Sequence, residues 1–147
     1  MILLDTNVLS EPFRPSPTSN VIAWLDAQPL ETLYLSVITV AEMRTGVALL
    51  PDGKRKNLLH ERLEQEIFPA FVGRILPFDL ACTQNYADLI VKAKASGLVI
   101  ASADGYIAAI AACHHFTVAT RDTVPFSAAG LPVINPWEYK LHVLSKP

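Results

Sequence analysis

Four acidic side chains have the type and spacing to act together in chemistry: Asp5, Glu42, Asp104 and Asp122. Each follows a predicted strand or lies near the start of a predicted helix, and only Asp122 has a basic neighbour, Arg121. Clustered carboxylates without matching basic groups repel one another, and a hard cation with oxygen ligands relieves that repulsion. The set favours Mg²⁺ or Mn²⁺, and it lacks the His and Cys ligands expected for zinc.

Two of these acids also have a purely structural interpretation in their local sequence. Asp5, followed by Thr6 and Asn7, could form a turn at the end of a strand. Glu42 could complete the capping box T-x-x-E that begins at Thr39. Neither residue is decisive when it is considered alone.

The other two acids have structural alternatives as well. Asp104 could be a helix N-terminal charge that complements the helix dipole, and Asp122 could pair with Arg121 or cap a loop. Asp79 follows a predicted strand and is interpreted as a helix cap alone. The joint placement of the four acids at one edge of a sheet is what favours a functional interpretation.

Short apolar segments that alternate with helical patterns predict a parallel sheet covered on both faces. The predicted strands are Ile2–Leu4, Leu33–Val37, Arg74–Phe78 and Phe116–Thr120, with a candidate fifth at Leu131–Ile134. The predicted helices run from Thr18 or Ser19 to about Gln28, from Thr39 onward, from Lys54 to about Phe71, from Asp79 to Gly97, and from Ala101 to His115. The expected fold is a three-layer α/β domain whose central parallel sheet has four to five strands. It forms a single domain over 1–147, with a core over about 1–140 and a C-terminal tail at 141–147.

The bulk composition limits the possible classes of function. Of 147 residues 51% are hydrophobic, which predicts a folded chain rather than a disordered one. No apolar run approaches the roughly 18 residues of a membrane span, and Asp5 interrupts the apolar start, unlike in a signal peptide. We therefore expect a cytoplasmic protein without membrane contact. The formal net charge of −2 disfavours a dedicated DNA-binding module, so any nucleic acid must be bound locally.

Other sites of chemistry find little support in the sequence. It contains no G-x-S-x-G elbow, no phosphate-binding G-x-x-x-x-G-K-[ST] loop and no G-x-G-x-x-G fingerprint. Cys82 and Cys113 are far apart in the sequence and are predicted to be buried thiols rather than metal ligands or a disulfide. A metal-dependent phosphatase of small molecules would need a lysine paired with a nucleophilic Asp, and no lysine is a candidate.

Four blocks of sequence, taken in order, resemble the PIN-domain nucleases. They are Met1-Ile-Leu-Leu-Asp5-Thr6-Asn7-Val8, Ser36-Val-Ile-Thr39-Val-Ala-Glu42, Ala103-Asp104-Gly-Tyr-Ile-Ala-Ala109 and Val118-Ala-Thr120-Arg-Asp122. Within that family the chain is similar to the VapC toxins, and it is most similar to the FitB-like branch, which Asn135-Pro136-Trp137 also fits. The resemblance covers nearly the whole chain.

The resemblance implies a PIN fold with a divalent-metal site built from the four acids. Asp5 and Asp104 would hold the principal ion, and Glu42 and Asp122 would hold a second ion or position the attacking water. Three polar residues match those that orient ligands or water: Thr6, Asn7 and Thr120. Family members often carry Asp or Asn four residues after the Thr, where this chain has Val124, so Asp122 is the only acid of that block.

The function implied is a Mg²⁺- or Mn²⁺-dependent ribonuclease, the toxin of a type II toxin–antitoxin system. Such toxins are usually homodimers that cleave RNA and are held inactive by a cognate antitoxin. The antitoxin carries its own DNA-binding domain, so this chain would meet DNA only through that partner. The alternative is a non-catalytic partner of the antitoxin in a complex that represses transcription.

Overall fold

A computed structural model of the chain describes residues 1–141 and contains five strands and eight α-helices within them. The strands are β1 (Ile2–Leu4), β2 (Leu33–Ser36), β3 (Ile75–Leu76), β4 (Thr117–Ala119) and β5 (Val133–Ile134). The helices are α1 (Thr6–Ser10), α2 (Ser19–Ala27), α3 (Val37–Ala48), α4 (Lys54–Arg62), α5 (Phe68–Ala70), α6 (Leu80–Ala95), α7 (Ser102–His114) and α8 (Thr123–Ala128). The predicted tail at 141–147 lies, apart from its first residue, outside the described residues.

The five strands form one parallel sheet in the order β3-β2-β1-β4-β5. The first strand therefore lies at the centre, with Leu4 opposite Ala119 of β4 and Leu3 opposite Tyr34 of β2. All the strands point the same way, so the residues that follow them meet at one carboxyl edge of the sheet. The predicted α/β class and the parallel sheet, including its fifth strand, are confirmed.

Both faces of the sheet are covered, as the continuous apolar strand Ile2–Leu4 predicts. Successive side chains of a strand point to opposite faces, so Leu3 and Leu4 enter different cores. Leu4 packs in a cluster with side chains of α2, α3 and the α4 region, whereas Leu3 packs with residues of α6, α7 and α8. The result is the expected three-layer arrangement of helix, sheet and helix.

Several element boundaries differ from the predictions for local physical reasons. Helices α1 and α8 were not predicted, because both are short and begin within four residues of the end of a strand. The predicted helix from Lys54 to about Phe71 is not α-helical throughout. A π-helical turn at Leu63–Ile67 joins α4 to α5. In the part of the chain that the structure describes, no helix is long and apolar enough to cross a membrane.

Helices α6 and α7 approach each other closely at Gly105, the residue after Asp104. A Cβ atom at this position would lie 3.0 Å from the Tyr86 ring of α6, closer than packed carbon atoms normally approach. Glycine therefore allows α6 to pack against the first turn of α7, which is the turn that carries Asp104.

Candidate active site

The pairing of β1 with β4 brings two polar side chains together beyond the carboxyl edge. The ladder continues past the strands, because the Asp5 amide donates to the Ala119 carbonyl at 2.9 Å. The residue that follows β4 is Thr120, whose hydroxyl donates to Asp5 Oδ2 at 2.8 Å. Both side chains are buried, with exposed fractions of 4% for Asp5 and 0% for Thr120. Two short parallel strands in fixed register thus position this pair.

Asp5 combines a structural role with unfavourable electrostatics. It is the N-cap of α1, and its Oδ1 accepts a hydrogen bond from the Thr6 amide at 2.8 Å. Burial is the main cause that raises the pKa of the Asp5 carboxyl to about 6. The hydrogen bonds from Thr120 and Thr6 oppose the rise, and the Asp104 and Glu42 carboxylates add to it. The site holds a carboxylate that its surroundings do not fully stabilise.

Glu42 is positioned by α3, and the predicted capping box is wrong. The N-cap of α3 is Ser36, whose hydroxyl accepts from the Thr39 amide at 3.0 Å. Glu42 therefore lies in the second turn, too far from the cap to pair with it. Its Oε1 instead accepts from the Thr6 hydroxyl at 2.8 Å. The β-branched pair Val37-Ile38 favours a strand, so the sequence placed the helix cap at Thr39, three residues after the observed cap Ser36.

Asp104 and Asp122 reach the same region from helix starts. Asp104 lies in the first turn of α7, as predicted, and Asp122 occupies the N-cap position of α8 without making a side-chain capping bond. Burial raises the pKa of Asp104, and the Asp122 and Glu42 carboxylates raise it further. These effects arise because the three carboxylates line the same cavity. A helix-dipole role for Asp104 remains compatible with its position.

A polar network joins Asp122 to Asp5. The Thr120 hydroxyl accepts from the Asp122 amide at 3.0 Å while it donates to Asp5. The Asn7 side-chain amide makes two long contacts of 3.5 Å, with Thr120 Oγ1 and Asp122 Oδ2, and its oxygen accepts from the Arg121 amide. Within residues 1–141 Arg121 forms no ion pair with Asp122; its guanidinium lies 5.1 Å from the centre of the Trp137 ring.

The four acids line one open cavity of about 290 Å³, here called the acid cavity. Its lining residues are Asp5, Thr6, Asn7, Ser10, Glu42, Asp104 and Asp122. Among the described residues, no Lys, Arg or His forms an ion pair with any of these acids. Carboxylate, hydroxyl and amide oxygens are the donors that Mg²⁺ and Mn²⁺ take, so the chemistry of the lining fits such an ion.

The acids surround the acid cavity without closing on a single point. Across residues 1–141, the set of three potential ligands whose donor atoms all lie within 4.8 Å of one another is a different one, Asp79, Cys82 and Cys113. The donor atoms of the four acids are therefore spaced more widely around their cavity than those of that set.

Sequence reasoning missed two polar residues of this region. Thr39, interpreted as a helix cap, is fully buried, and its hydroxyl lies 3.0 Å from the Thr6 hydroxyl that binds Glu42. Ser10 lines the acid cavity from the last turn of α1. The spacing S-x-x-T could have indicated the role of Thr39, because it allows Ser36 to cap the helix. The Thr39 hydroxyl can then contact Thr6. Ser10 had no signal, because α1 itself was not predicted.

Comparison with known proteins agrees with this geometry. The family model described as PIN domain matches residues 2–131. The chain is 61% identical to VapC ribonuclease Y4jK of Sinorhizobium fredii over 94% of this chain and 99% of the relative. It is 63% identical to Toxin FitB of Neisseria gonorrhoeae over 93% and 99%. The structure of FitAB bound to the IR36 DNA fragment superposes with a TM-score of 0.93 at 61% identity, over 97% of this chain and 99% of that one. The chain therefore belongs to the PIN-domain family, in the branch that includes VapC toxins and FitB.

Proposed function

We propose that this protein is a metal-dependent endoribonuclease, the toxin of a type II toxin–antitoxin system, with Mg²⁺ or Mn²⁺ as its cofactor. The observation that carries the proposal is the acid cavity, in which four carboxylates and no paired base, among the described residues, surround one space. A cavity with this charge repels a phosphodiester unless a cation is present. The name of the relative Y4jK, a VapC ribonuclease, supports RNA as the substrate.

The chain's own residues would divide the work according to their environment. Asp5 and Asp104 would hold the ion. The pKa of each carboxyl is raised, and a bound cation would lower it again and stabilise the ionised form. When bound, the ion would neutralise the phosphate and acidify a coordinated water. Glu42, fixed by the Thr6 hydroxyl, would orient the attacking water or hold a second ion.

The remaining polar residues would keep the acid cavity in shape. Thr120 hydrogen-bonds both Asp5 and the backbone of Asp122, so it would set the spacing between two acids. Asn7 contacts the same threonine and Asp122 and would orient ligands or water. Asp122 is exposed and would contribute least to holding the principal ion.

The direct test is RNA cleavage by the purified chain. We expect cleavage with added Mg²⁺ or Mn²⁺, none after chelation, and recovery when the ion is restored. The matched variant is Asp104→Asn, which keeps size and polarity while it removes one charge. Cleavage that is unaffected by chelation, or full activity of the variant, would contradict the proposal. Absence of cleavage under all conditions would favour the alternative, a non-catalytic partner in a repressing complex.

Regulation by an antitoxin is part of the proposal, and a second groove supports it. An apolar groove of about 270 Å³ adjoins the acid cavity and shares Thr6, Ser10 and Glu42 with it. Its apolar lining consists of Phe13, Met43, Val47, Leu50 and Leu59. A partner segment in this groove could place an arginine among the acids, since a guanidinium binds carboxylates bidentately. Relatives solved as FitAB and VapBC2 are described as bound to DNA, which supports a DNA-binding antitoxin.

Gel-shift titration separates the roles of the two chains. With a net charge of −2, we expect this chain alone to bind operator DNA weakly, and the complex to bind tightly. Charge reversal in the partner's arginine should restore ribonuclease activity in the complex. Tight, sequence-specific DNA binding by this chain alone would contradict the scheme.

The homodimer is also a proposal, and α6 offers a surface for it. Leu80 and Val91 are 87% and 69% exposed. They are eleven positions apart in α6, so they lie on the same side of the helix, ~20° apart at 3.6 residues per turn. Light scattering should give the mass of a dimer, and Val91→Glu should shift it toward the monomer. A wild-type monomer at micromolar concentration would contradict this.

A further inference from the structure

Three potential metal ligands meet on the other side of the sheet from the apolar groove, between α6 and α7. Donor atoms of Asp79, Cys82 and Cys113 all lie within 4.8 Å of one another, and this set is here called the thiol cluster. Asp79 and Cys82 belong to the first turn of α6, and Cys113 to the last turn of α7. Helix pairing has thus brought together two cysteines that are 31 positions apart in the sequence.

Hydrogen bonds and burial hold the side chains of the thiol cluster in place. Cys82 is fully buried, and its thiol donates to Asp79 Oδ1 at 3.2 Å. Asp79 also accepts from the Cys82 amide, as expected for the helix cap predicted from the sequence. Cys113 is partly exposed and Asp79 is exposed, so a small ion can reach the cluster from solvent. Burial is the main cause that raises the pKa of the Cys82 thiol to about 11, so without an ion this thiol keeps its proton.

Two thiolates and one carboxylate form a donor set for a thiophilic divalent cation. Sulfur ligands lie about 2.3 Å from zinc and oxygen ligands about 2.0–2.2 Å, which places tetrahedral donors about 3.5–3.8 Å apart. The spread of the thiol cluster is compatible with that spacing after small side-chain adjustments. A zinc site with three protein ligands keeps its fourth position for water.

We propose that Asp79, Cys82 and Cys113 form a zinc-type site that joins the start of α6 to the end of α7. The site is separate from the acid cavity, because nine residues of α7, about 13 Å of helix, separate Cys113 from Asp104. The two sites would select different ions, since thiolates favour zinc and carboxylates favour magnesium or manganese. Bound zinc would stabilise the helix pair that supports Asp104 without taking part in phosphodiester chemistry.

Cobalt provides the test, because only thiolate ligands give Co²⁺ an intense charge-transfer absorption in the near ultraviolet. The reduced full-length chain should develop this band on titration with Co²⁺, at about one ion per chain, and Zn²⁺ should remove it. Cys113→Ser should lower the intensity of the band by at least half and weaken cobalt binding, because only one thiolate remains. Asp79→Asn should weaken cobalt binding by about tenfold or more while the helix cap survives, because Asn is also a good cap. Circular dichroism would verify that each variant is folded.

The control is Asp104→Asn, which alters the acid cavity and should leave the cobalt band unchanged. Cobalt that binds the wild-type chain without this band, and that no longer binds in Asp104→Asn, would assign the ion to the acid cavity and overturn the proposal. Absence of the band in the wild-type chain would overturn the proposal as well. So would formation of a disulfide between Cys82 and Cys113 before any ion binds. None of these results depends on ribonuclease activity, so the experiment tests the zinc-type site independently of the proposed function.

Discussion

Two carboxylates of this chain are buried to almost the same extent in opposite electrostatic surroundings. Asp5 is 4% exposed and Glu11 is 3% exposed. Glu11 Oε1 accepts from the amide and the hydroxyl of Thr18 at 3.0 and 2.9 Å, and its other oxygen lies 3.5 Å from the Arg14 guanidinium. Burial raises the pKa of Glu11, but these contacts outweigh it and lower the pKa below its ordinary value.

Asp5 has hydrogen bonds as well, and they do not compensate for its burial. Its neighbours across the acid cavity are carboxylates rather than a guanidinium, and its pKa rises to about 6. A buried charge costs free energy unless it is paired, so Glu11 stabilises the fold and Asp5 destabilises it when no cation is bound. A small exposed fraction alone therefore does not distinguish a structural acid from a functional one, whereas the balance between desolvation, hydrogen bonds and neighbouring charges does.

The largest expected effect is loss of cleavage when a principal acid is neutralised. Asp5→Asn or Asp104→Asn should reduce Mg²⁺-dependent cleavage by on the order of 10²–10³-fold, as when a key electrostatic contact to a reacting centre is removed. The metal-free protein should melt at the same temperature or higher, because one repelling charge is gone. A cleavage assay and circular dichroism melting on the same sample check both parts. A variant with full activity would remove that residue from the site.

Glu42→Gln should have the next largest effect, a loss of roughly 10–100-fold in cleavage with an unchanged melting temperature. Glutamine can still accept the hydrogen bond from Thr6 but carries no charge. The matched control is Glu61→Gln on the exposed side of α4, which should keep normal activity. If both variants cleave RNA normally, Glu42 returns to a structural role.

Glu11→Gln should lower the stability of the protein and leave its activity unchanged, unlike the variants of the acid cavity. The charge-assisted contacts with Thr18 and Arg14 are weakened, so the free energy of unfolding should fall by about 1–2 kcal/mol. Cleavage per folded molecule should stay at the wild-type level. Denaturant titration measures the first quantity. Greater stability in Glu11→Gln than in the wild type would show that the two buried acids do not differ as described.

The smallest expected effect is the pH dependence of metal-free stability. Because the folded-state pKa of Asp5 is about 6 and its ordinary value is 3.8, the folded state binds the proton more tightly. The contribution of Asp5 to the free energy of unfolding is therefore fully present below pH 3.8 and is lost as the pH rises through 6, by about 1 kcal/mol between pH 5 and 7. Asp104 acts in the same direction. Glu11 acts oppositely and only at lower pH, where its lowered pKa is crossed.

Comparison of wild type with Asp5→Asn isolates this dependence from the titration of histidines. The difference in unfolding free energy between the two should grow with pH over that range. Added Mg²⁺ should abolish the dependence, because a bound cation favours the ionised carboxylate. A constant difference from pH 5 to 7 would indicate that the Asp5 pKa is not raised.

The amino-acid sequence was sufficient to predict the fold class, the parallel sheet and the four acids that line the acid cavity, because these predictions depend on local patterns. Apolar strands such as Ile2–Leu4 and polar residues directly after them are visible without a structure. The start of α3 was not determined, since Ser36 and Thr39 are both good caps and β-branched residues lie between them. The folded chain has Ser36 as the cap and buries the Thr39 side chain.

The contacts between side chains that are distant in the sequence could be seen only in the folded structure. Thr120 meets Asp5 because β4 pairs with β1 in one register, and no local signal encodes that register. Cys82 and Cys113, predicted from their separation to be unrelated buried thiols, become neighbours because α6 packs on α7. The opposite pKa shifts of Asp5 and Glu11 have the same origin, since electrostatic energies depend on distances through space and sequence separation does not specify them.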